Sequence, residues 1–461
     1  VKQINKEEFF MGKLFGTDGV RGIANKDLTP ALAFKLARVC GYILSEKKKD
    51  NHPYFIIGKD TRISSDMLEH AIVSGLCSVG VSALKLGVVP TPVVSFLTSR
   101  TSACGGVMIS ASHNPFPDNG IKFFSSRGFK LEDREEDEIE SLLEKTQELP
   151  SPAGKDLGRV IKEDIFHIYL SSVKKNIFNL SHGNVLEGLK IVIDCANGAS
   201  FIIAPSILKE LGAEVVDLNI SPDGININDK CGSTHVDSLS KRVIAEQADA
   251  GFAFDGDADR VISVDSKGNT VDGDKMMFVI ASYLKDKGML KNNLVISTVM
   301  SNLGFELALK EKSIHMVRVN VGDRYVLEEM IKSGGILGGE QSGHIILLDY
   351  NNTGDGLITA LMLLKIMLDT GKTLEDLSSQ VVKYPQILVN IPVLDKNSFG
   401  KDLYLRELIE KEEKFISDRG RILVRPSGTE PLVRVMVEAL DKKEMNDVAE
   451  RISSEIRKRL C

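Results

Sequence analysis

Gly106-Val107-Met108-Ile109-Ser110-Ala111-Ser112-His113-Asn114-Pro115 joins a short apolar run to small polar residues and then to an Asn-Pro pair. The run from Gly106 to Ile109 reads as a buried strand, and Asn-Pro favours a turn. A strand that empties into such a turn puts its last side chains at the carboxyl edge of a sheet. Open α/β sheets collect their ligands at that edge. Ser112 stands there with His113 beside it. A serine hydroxyl is a weak nucleophile until a base or a cation acts on it. The other reading of the stretch is a Ser/Asn turn that satisfies only its own backbone. The remaining loops of the chain weigh between the two.

Outward from this stretch, one unit recurs. Residues 54–57 read as a strand, 65–79 as an amphipathic helix and 81–86 as a second strand. The same order appears at 189–194, 203–211 and 214–218, and again at 294–297, 302–310 and 315–319. Strand, helix, strand in this compass is a βαβ unit with parallel strands. Three copies predict three α/β domains of one kind. Ahead of them, Thr29 and Pro30 sit where a helix running to about Ser45 needs an N-cap and a first residue. The Glu-rich segment 132–155, with Pro150-Ser151-Pro152, reads as a solvated helix followed by a linker. Segment 369–385 marks a last boundary. Beyond it come strands at 386–393, 420–424 and 432–439, with helices at 401–416 and 442–457. That pattern predicts a smaller α+β domain, with helices on one face of an antiparallel sheet. The expected domains are 11–152, 153–254, 255–372 and 373–461, the acidic loop described below opening the third.

Size and composition agree. A chain of 461 residues is too long for one core. A net charge of -6 argues against a nucleic-acid binder, whose footprint is basic. The six cysteines are scattered, with no Cys-x-x-Cys pair, so neither a zinc site nor a redox pair is read. No long apolar span and no secretory signal is read either, and the expectation is a cytoplasmic protein without a membrane partner. Residues Val1 to Phe10, ahead of Met11-Gly12-Lys13, stand outside the fold argument.

Four further loops carry chemistry. Phe15-Gly16-Thr17-Asp18-Gly19-Val20-Arg21-Gly22 has a backbone free to approach a ligand, and Arg21 offers a planar fork for phosphate or carboxylate; an ordinary glycine turn is the alternative. Asp255-Gly256-Asp257-Ala258-Asp259-Arg260 follows an apolar strand, 250–254. Three carboxylates so close are costly unless a cation neutralises them, and all-oxygen donors suit Mg²⁺. A calcium EF-hand would need glycine and glutamate at its sixth and twelfth places, where Arg260 and Ser266 stand. An uncoordinated acidic turn stays open. Gly338-Gly339-Glu340-Gln341-Ser342-Gly343-His344 offers an acceptor, an amide and a hydroxyl, a set suited to sugar hydroxyls or to a self-satisfied turn. Val321-Gly322-Asp323-Arg324 ends a strand just before it and belongs to the same rim. Arg425-Pro426-Ser427-Gly428-Thr429-Glu430-Pro431, with Arg434 close by, makes an anion nest for which phosphate is the natural guest. No Walker-type loop and no complete dinucleotide fingerprint is present.

The order and joint presence of these motifs, from about Lys13 to Arg457, resemble the α-D-phosphohexomutase superfamily. Gln341 leans to its glucosamine branch. The resemblance implies three related α/β domains with mixed sheets and a C-terminal α+β phosphate-binding lid around a central cleft. It implies a phosphate carried covalently on Ser112, and one Mg²⁺ held by Asp255, Asp257, Asp259 and an oxygen of that phosphoserine. His113, Lys122 and Arg21 would line the reacting phosphate, with Lys122 in acid/base work. Arg260, Gly322, Asp323, Glu340, Ser342 and His344 would bind the sugar. Arg425, Ser427, Gly428, Thr429 and Arg434 would hold the phosphate that is not reacting. The implied activity is an isomerase that exchanges the 6- and 1-phosphates of glucosamine through a sugar bisphosphate, feeding amino-sugar nucleotide and cell-wall precursor synthesis. Mannose or glucose phosphates are the runner-up substrates, and a Mg²⁺-dependent sugar phosphatase is a further alternative. A homodimer is implied, with the phosphosugar the only other partner.

Overall fold

The structure is a computed structural model that describes residues 14–461 except 17, 51, 180–182 and 428–430, and except the side chains of 396, 397 and 418. The readings at Thr17, Gly428 and Thr429, and on residues 1–10, lie outside the described residues. The chain divides into two units, one of residues up to 300 with 315–378, the other of 301–314 with 379–461.

The first unit holds three sheets. The first contains β1 (Val20–Ile23), β2 (Tyr54–Lys59), β3 (Ser82–Val88), β4 (Gly105–Ile109), β5 (Asp118–Ser125) and β6 (Val160–Ile161), in the order β1-β5-β4-β2-β3-β6. Every residue of β4 is buried, as a strand covered on both faces requires. Two helices, Pro30–Lys48 and Ser65–Cys77, pack on each other. Thr29 Oγ1 accepts the Leu32 N–H at 3.2 Å and caps the first. At Gly75 a Cβ would stand 2.4 Å from the Phe34 carbonyl, so only glycine allows that approach. The second sheet contains β7 (Lys190–Asp194), β8 (Glu214–Leu218), β9 (Ala250–Phe254), β10 (Val261–Asp265) and β11 (Thr270–Val271), ordered β11-β10-β9-β7-β8. The third contains β12 (Leu294–Thr298), β13 (His315–Val319), β14 (Leu337–Gly339) and β15 (Ile345–Leu347), ordered β13-β12-β14-β15.

All three sheets share one four-strand core. A central strand (β2, β7, β12) is parallel to its βαβ partner (β3, β8, β13) on one side. On the other side it is parallel to a strand (β4, β9, β14) that turns back as an antiparallel hairpin (β5, β10, β15). The three hairpin loops carry Ser112, the three aspartates and Glu340. Three chemically different loops thus occupy one topological position in three related domains. The hairpin also bears on the expected boundary at 254/255. That boundary falls inside the β9–β10 hairpin, so the acidic loop stays with the second sheet.

In the second unit β16 (Gln386–Pro392), β17 (Gly420–Pro426) and β18 (Leu432–Ala439) form an antiparallel sheet ordered β16-β18-β17. Helices Leu403–Ile416 and Lys442–Leu460 bury Leu405, Val448 and Ile452 against Val433, Val435 and Val437. Asp402 and Asp441 cap them. The helix Leu303–Glu311, which follows β12 in sequence, belongs to this unit: the Leu303 N–H donates to Glu438 Oε2 at 3.1 Å and Asn302 Nδ2 to the Tyr384 carbonyl at 3.0 Å. Among the described residues no helix is long and apolar enough to cross a membrane.

Candidate active site

β4 ends at Ile109 and delivers Ser110, Ala111 and Ser112 into the loop ahead of β5. Ser112 is 1% exposed and has a left-handed backbone, φ 54°. Its N–H donates to Ser110 Oγ at 2.9 Å, and its Oγ donates to Asp255 Oδ2 at 2.6 Å. His113 Nδ1 lies 3.4 Å from the same Oγ. Arg260 Nη1 stands 3.0 Å from Nδ1. A guanidinium only donates, so Nδ1 accepts and the ring proton is on Nε2. Burial, Arg260 and Arg21 hold His113 below the usual histidine value, in keeping with a neutral ring.

Asp255, Asp257 and Asp259 are buried, and one oxygen of each lies within 4.8 Å of the others. Burial, Asp259 and Asp257 hold the Asp255 carboxyl well above the carboxylate range. Asp257 Oδ2 accepts from Thr91 Oγ1 at 2.5 Å and from Lys122 Nζ at 2.8 Å. Lys122, on β5 opposite Met108, also lies 2.9 Å from Asp18 and 3.4 Å from Asp259. Burial opposes the charge on Lys122, but Asp18, Asp257 and Asp259 outweigh it and hold the ammonium protonated well above its usual range. Asp259, although buried, is held well below its usual range by Lys122, His344 and Arg260. Two oxygens are left over: Asp257 Oδ1 and Asp259 Oδ1 are buried without a hydrogen-bond partner among the described residues. An idle buried carboxylate oxygen is costly. The all-oxygen cluster therefore fits a hard divalent cation.

Beside the cluster opens a cleft of ≈ 420 Å³, whose walls include Arg21, Asp18, Lys130, Arg260, Asp323 and Glu340. Arg21 pairs with Asp18. Lys130 bridges Asp18 and Asp323, the latter at 2.5 Å. Asp323 opens the helix Asp323–Ser333, and Gly322 caps it with φ 134°. His344, 2% exposed, sits 3.7 Å from Asp259 and 3.5 Å from Asp323 and accepts the Gly354 N–H at 3.1 Å. Burial works against its charge, but the two carboxylates hold it above the usual histidine value. Glu340 accepts from the Gly322 N–H at 3.2 Å and from Ser342 Oγ at 3.3 Å. Ser342 is exposed. Gln341 turns away from the cleft, its Nε2 3.4 Å from Asp272, the N-cap of Gly273–Asp286.

In the second unit, Arg425 on β17 and Arg434 on β18 are direct cross-strand partners. Such partners share a face, and like charges there repel. Two guanidinium groups so placed suit an anion. Ser427 is buried next to them in sequence, its N–H on the Leu432 carbonyl at 2.8 Å.

The first unit thus brings together Ser112, His113, Lys122, the three aspartates and Arg260, and sets Arg21, Gly322, Asp323, Glu340 and His344 on the adjoining cleft. Sequence reasoning missed Lys130 and Thr91, and it quoted Asp18 without a role. Thr91-Pro92 at a helix start was a legible signal for the second; nothing local singles out Lys130.

The phosphoglucomutase/phosphomannomutase family matches the chain in four parts: alpha/beta/alpha domain I at residues 12–150, domain II at 167–268, domain III at 272–384 and the C-terminal domain at 388–455. The phosphoglucosamine mutase of Carboxydothermus hydrogenoformans is 53% identical over 449 residues, covering 97% of this chain and 100% of that protein. That of Oceanobacillus iheyensis is 52% identical over 453 residues, covering 98% and 100%. Among solved structures, a phosphoglucomutase/phosphomannomutase family protein from Burkholderia thailandensis shares the fold with a TM-score of 0.81 at 23% identity, over 97% of this chain and 98% of its own. The Aspergillus fumigatus N-acetylphosphoglucosamine mutase, solved with GlcNAc-6P and magnesium, shares it with a TM-score of 0.62 at 18% identity, over 96% and 95%. The chain belongs to the phosphoglucomutase/phosphomannomutase family of α-D-phosphohexomutases, and within these isomerases to the phosphoglucosamine mutases.

Proposed function

We propose that the chain interconverts glucosamine 6-phosphate and glucosamine 1-phosphate through a phosphoryl group carried on Ser112. One observation carries the reading: a buried serine hydroxyl on one hairpin loop meets, at 2.6 Å, a cluster of three buried carboxylates on the equivalent loop of the next domain. The names of the relatives supply the sugar.

In the first half-reaction the bond between Ser112 Oγ and phosphorus breaks and a bond from a free hydroxyl of the sugar monophosphate to phosphorus forms. Lys122, held protonated, would give its proton to Oγ as the Oγ–P bond breaks and then take up the proton that the sugar hydroxyl loses, so that the protons balance. A sugar bisphosphate results. It turns end for end, and its other phosphate returns to Ser112 by the reverse exchange. Phosphoryl transfer asks a protein mainly for position and charge. Arg21, Arg260 and Lys130 face the cleft as cations, and neutral His113 offers its Nε2–H as a donor. Asp255, Asp257 and Asp259 would hold one Mg²⁺, which supplies positive charge against the phosphoryl oxygens as charge spreads onto them. Glu340 accepts from sugar hydroxyls and ammonium, assisted by Gly322, Asp323, Ser342 and His344. Arg425, Ser427 and Arg434, with Gly428 and Thr429, hold the other phosphate of the sugar.

Ser112→Ala tests the reading. The variant should fold and melt like the parent and lose conversion of glucosamine 6-phosphate to 1-phosphate. A folded variant with near-normal conversion overturns the phosphoserine route. Steady release of inorganic phosphate by the parent would instead favour a phosphatase, and the ratio of kcat/KM on glucosamine, glucose and mannose phosphates decides the sugar.

A further inference from the structure

Behind the serine loop lies a network that touches no reacting atom. Asp60 and Arg62 follow β2, and Arg62 is 2% exposed. A guanidinium has a planar fork of five N–H donors, and here all five are engaged. Nε donates to Asp60 Oδ2 at 2.8 Å. Nη1 donates to the carbonyls of Pro115 at 2.5 Å and Asp118 at 3.0 Å. Nη2 donates to those of Ser112 at 2.9 Å and Asn114 at 2.8 Å.

The same last two carbonyls receive a second donor from another domain. Asn228, after β8 and itself left-handed at φ 59°, sends Nδ2 to Ser112 O at 2.9 Å and to Asn114 O at 3.0 Å. The N–H of Ser112 is held as well: Ser110 Oγ, which accepts it, donates in turn to Asp60 Oδ2 at 2.7 Å. The acidic loop presses on the same point. A Cβ at Gly256 would stand 2.5 Å from Ser112 O and 2.8 Å from Asn228 Nδ2. Every polar backbone atom of Ser112 is therefore tied down, in a region of φ that a residue with a Cβ rarely occupies. Such strain persists only where the surroundings over-determine it. A loop that needed stability alone would be served by one donor per carbonyl; this one takes one from each of two domains.

We propose that Arg62 and Asn228 are positioning residues, forming a two-domain clamp on the carbonyls of Ser112 and Asn114 that aims the phosphoryl-carrying hydroxyl at the acidic loop. The proposal rests on Ser112 being the phosphoryl carrier. It makes the aim of the nucleophile depend on how the second domain seats on the first, through one half-buried amide.

The test uses the full-length protein with Mg²⁺, as Asn228→Ala and Arg62→Lys. Lysine keeps the charge but cannot span four carbonyls and a carboxylate. Three quantities are read: the melting temperature, kcat and KM on glucosamine 6-phosphate, and the single-turnover rate at which phosphorylated enzyme passes its phosphoryl group to sugar. Misplacement by about 1 Å costs about a hundredfold in rate, so Asn228→Ala should lower kcat and the single-turnover rate together by about ten- to a hundredfold. KM should stay within about threefold, as for an interaction used in the chemical step. Arg62→Lys should lose more. Folded variants with kcat within about twofold of the parent, or with a raised KM and unchanged kcat, overturn the clamp. If Arg62→Lys does not fold, Asn228→Ala decides alone. Conversion that persists in Ser112→Ala defeats the phosphoserine reading; a phosphorylated parent with an unaffected Asn228→Ala defeats only the clamp.

Discussion

Replacing Lys122 by methionine removes one positive charge from the centre of the site and keeps most of the stem's volume. Its Nζ lies 2.8 Å from Asp257, 2.9 Å from Asp18 and 3.4 Å from Asp259, at 1% exposure. At an effective dielectric of about 20, each contact near 2.8 Å is worth about 6 kcal/mol of Coulomb attraction before desolvation is counted. Desolvation takes back most of it, and breaking one partner of a buried pair costs about 3 to 5 kcal/mol. Asp18 keeps Arg21 and Lys130. Among the described residues Asp257 keeps the Thr91 hydroxyl and a more distant attraction to Arg21, with Oδ1 idle, so the damage centres there. Lys122→Met should therefore lower unfolding stability by about 3 to 5 kcal/mol in metal-free buffer. Mg²⁺ at about a hundred times its Kd for the variant should raise that variant's own stability by about 2.7 kcal/mol. A cycle with Asp257→Asn should show non-additivity of about 1 to 3 kcal/mol. Urea melts of the four proteins, with and without Mg²⁺, measure all three quantities. A variant within about 1 kcal/mol of the parent in metal-free buffer, or strictly additive losses, would refute the charge argument.

Burial and its two acidic neighbours raise Asp255, so its ionisation costs folded stability as pH climbs past the ordinary carboxylate value, and a cation relieves that cost; the rise in melting temperature caused by Mg²⁺ should grow as pH rises above that value, and a flat or falling shift would contradict it. Arg434→Ala should weaken binding of sugar phosphate by about tenfold or more, readable by calorimetry, and an unchanged affinity would contradict the anion reading of the Arg425–Arg434 pair. Gln341→Met should leave the ratio of kcat/KM between glucosamine and glucose phosphates within about twofold, because the amide faces Asp272 rather than the cleft; a collapse of that ratio would place the residue in recognition.

Much of this architecture was legible in local pattern. The parallel pairs β2–β3, β7–β8 and β12–β13 stand where apolar runs flank amphipathic segments, because strands buried on both faces need uninterrupted apolar residues. The serine and aspartate loops each left a plain structural turn open when read alone, and it was their joint presence with the other loops that pointed to one site. Contacts made across domains were not legible. Asp60 and Arg62 look like an ordinary charged turn after a strand, and Asn228 like one more loop asparagine. Only the folded arrangement aims them at Ser112 O. The boundary expected at 254 came from stopping at the apolar run 250–254. The second run, 261–264, beyond a glycine-containing loop, was the missed hairpin signal. Gln341 is a further contact the local pattern did not show: its amide meets Asp272, the cap of a neighbouring helix, rather than the cleft.

The most direct measurement of the central claim is peptide-level mass spectrometry of protein incubated with glucosamine 6-phosphate carrying a heavy-oxygen phosphate, followed by a chase with unlabelled sugar. Labelled phosphate should appear on the peptide containing Ser112, leave it during the chase and be recovered on glucosamine 1-phosphate and the bisphosphate. Conversion at the full rate with no phosphate ever on Ser112 would contradict the account.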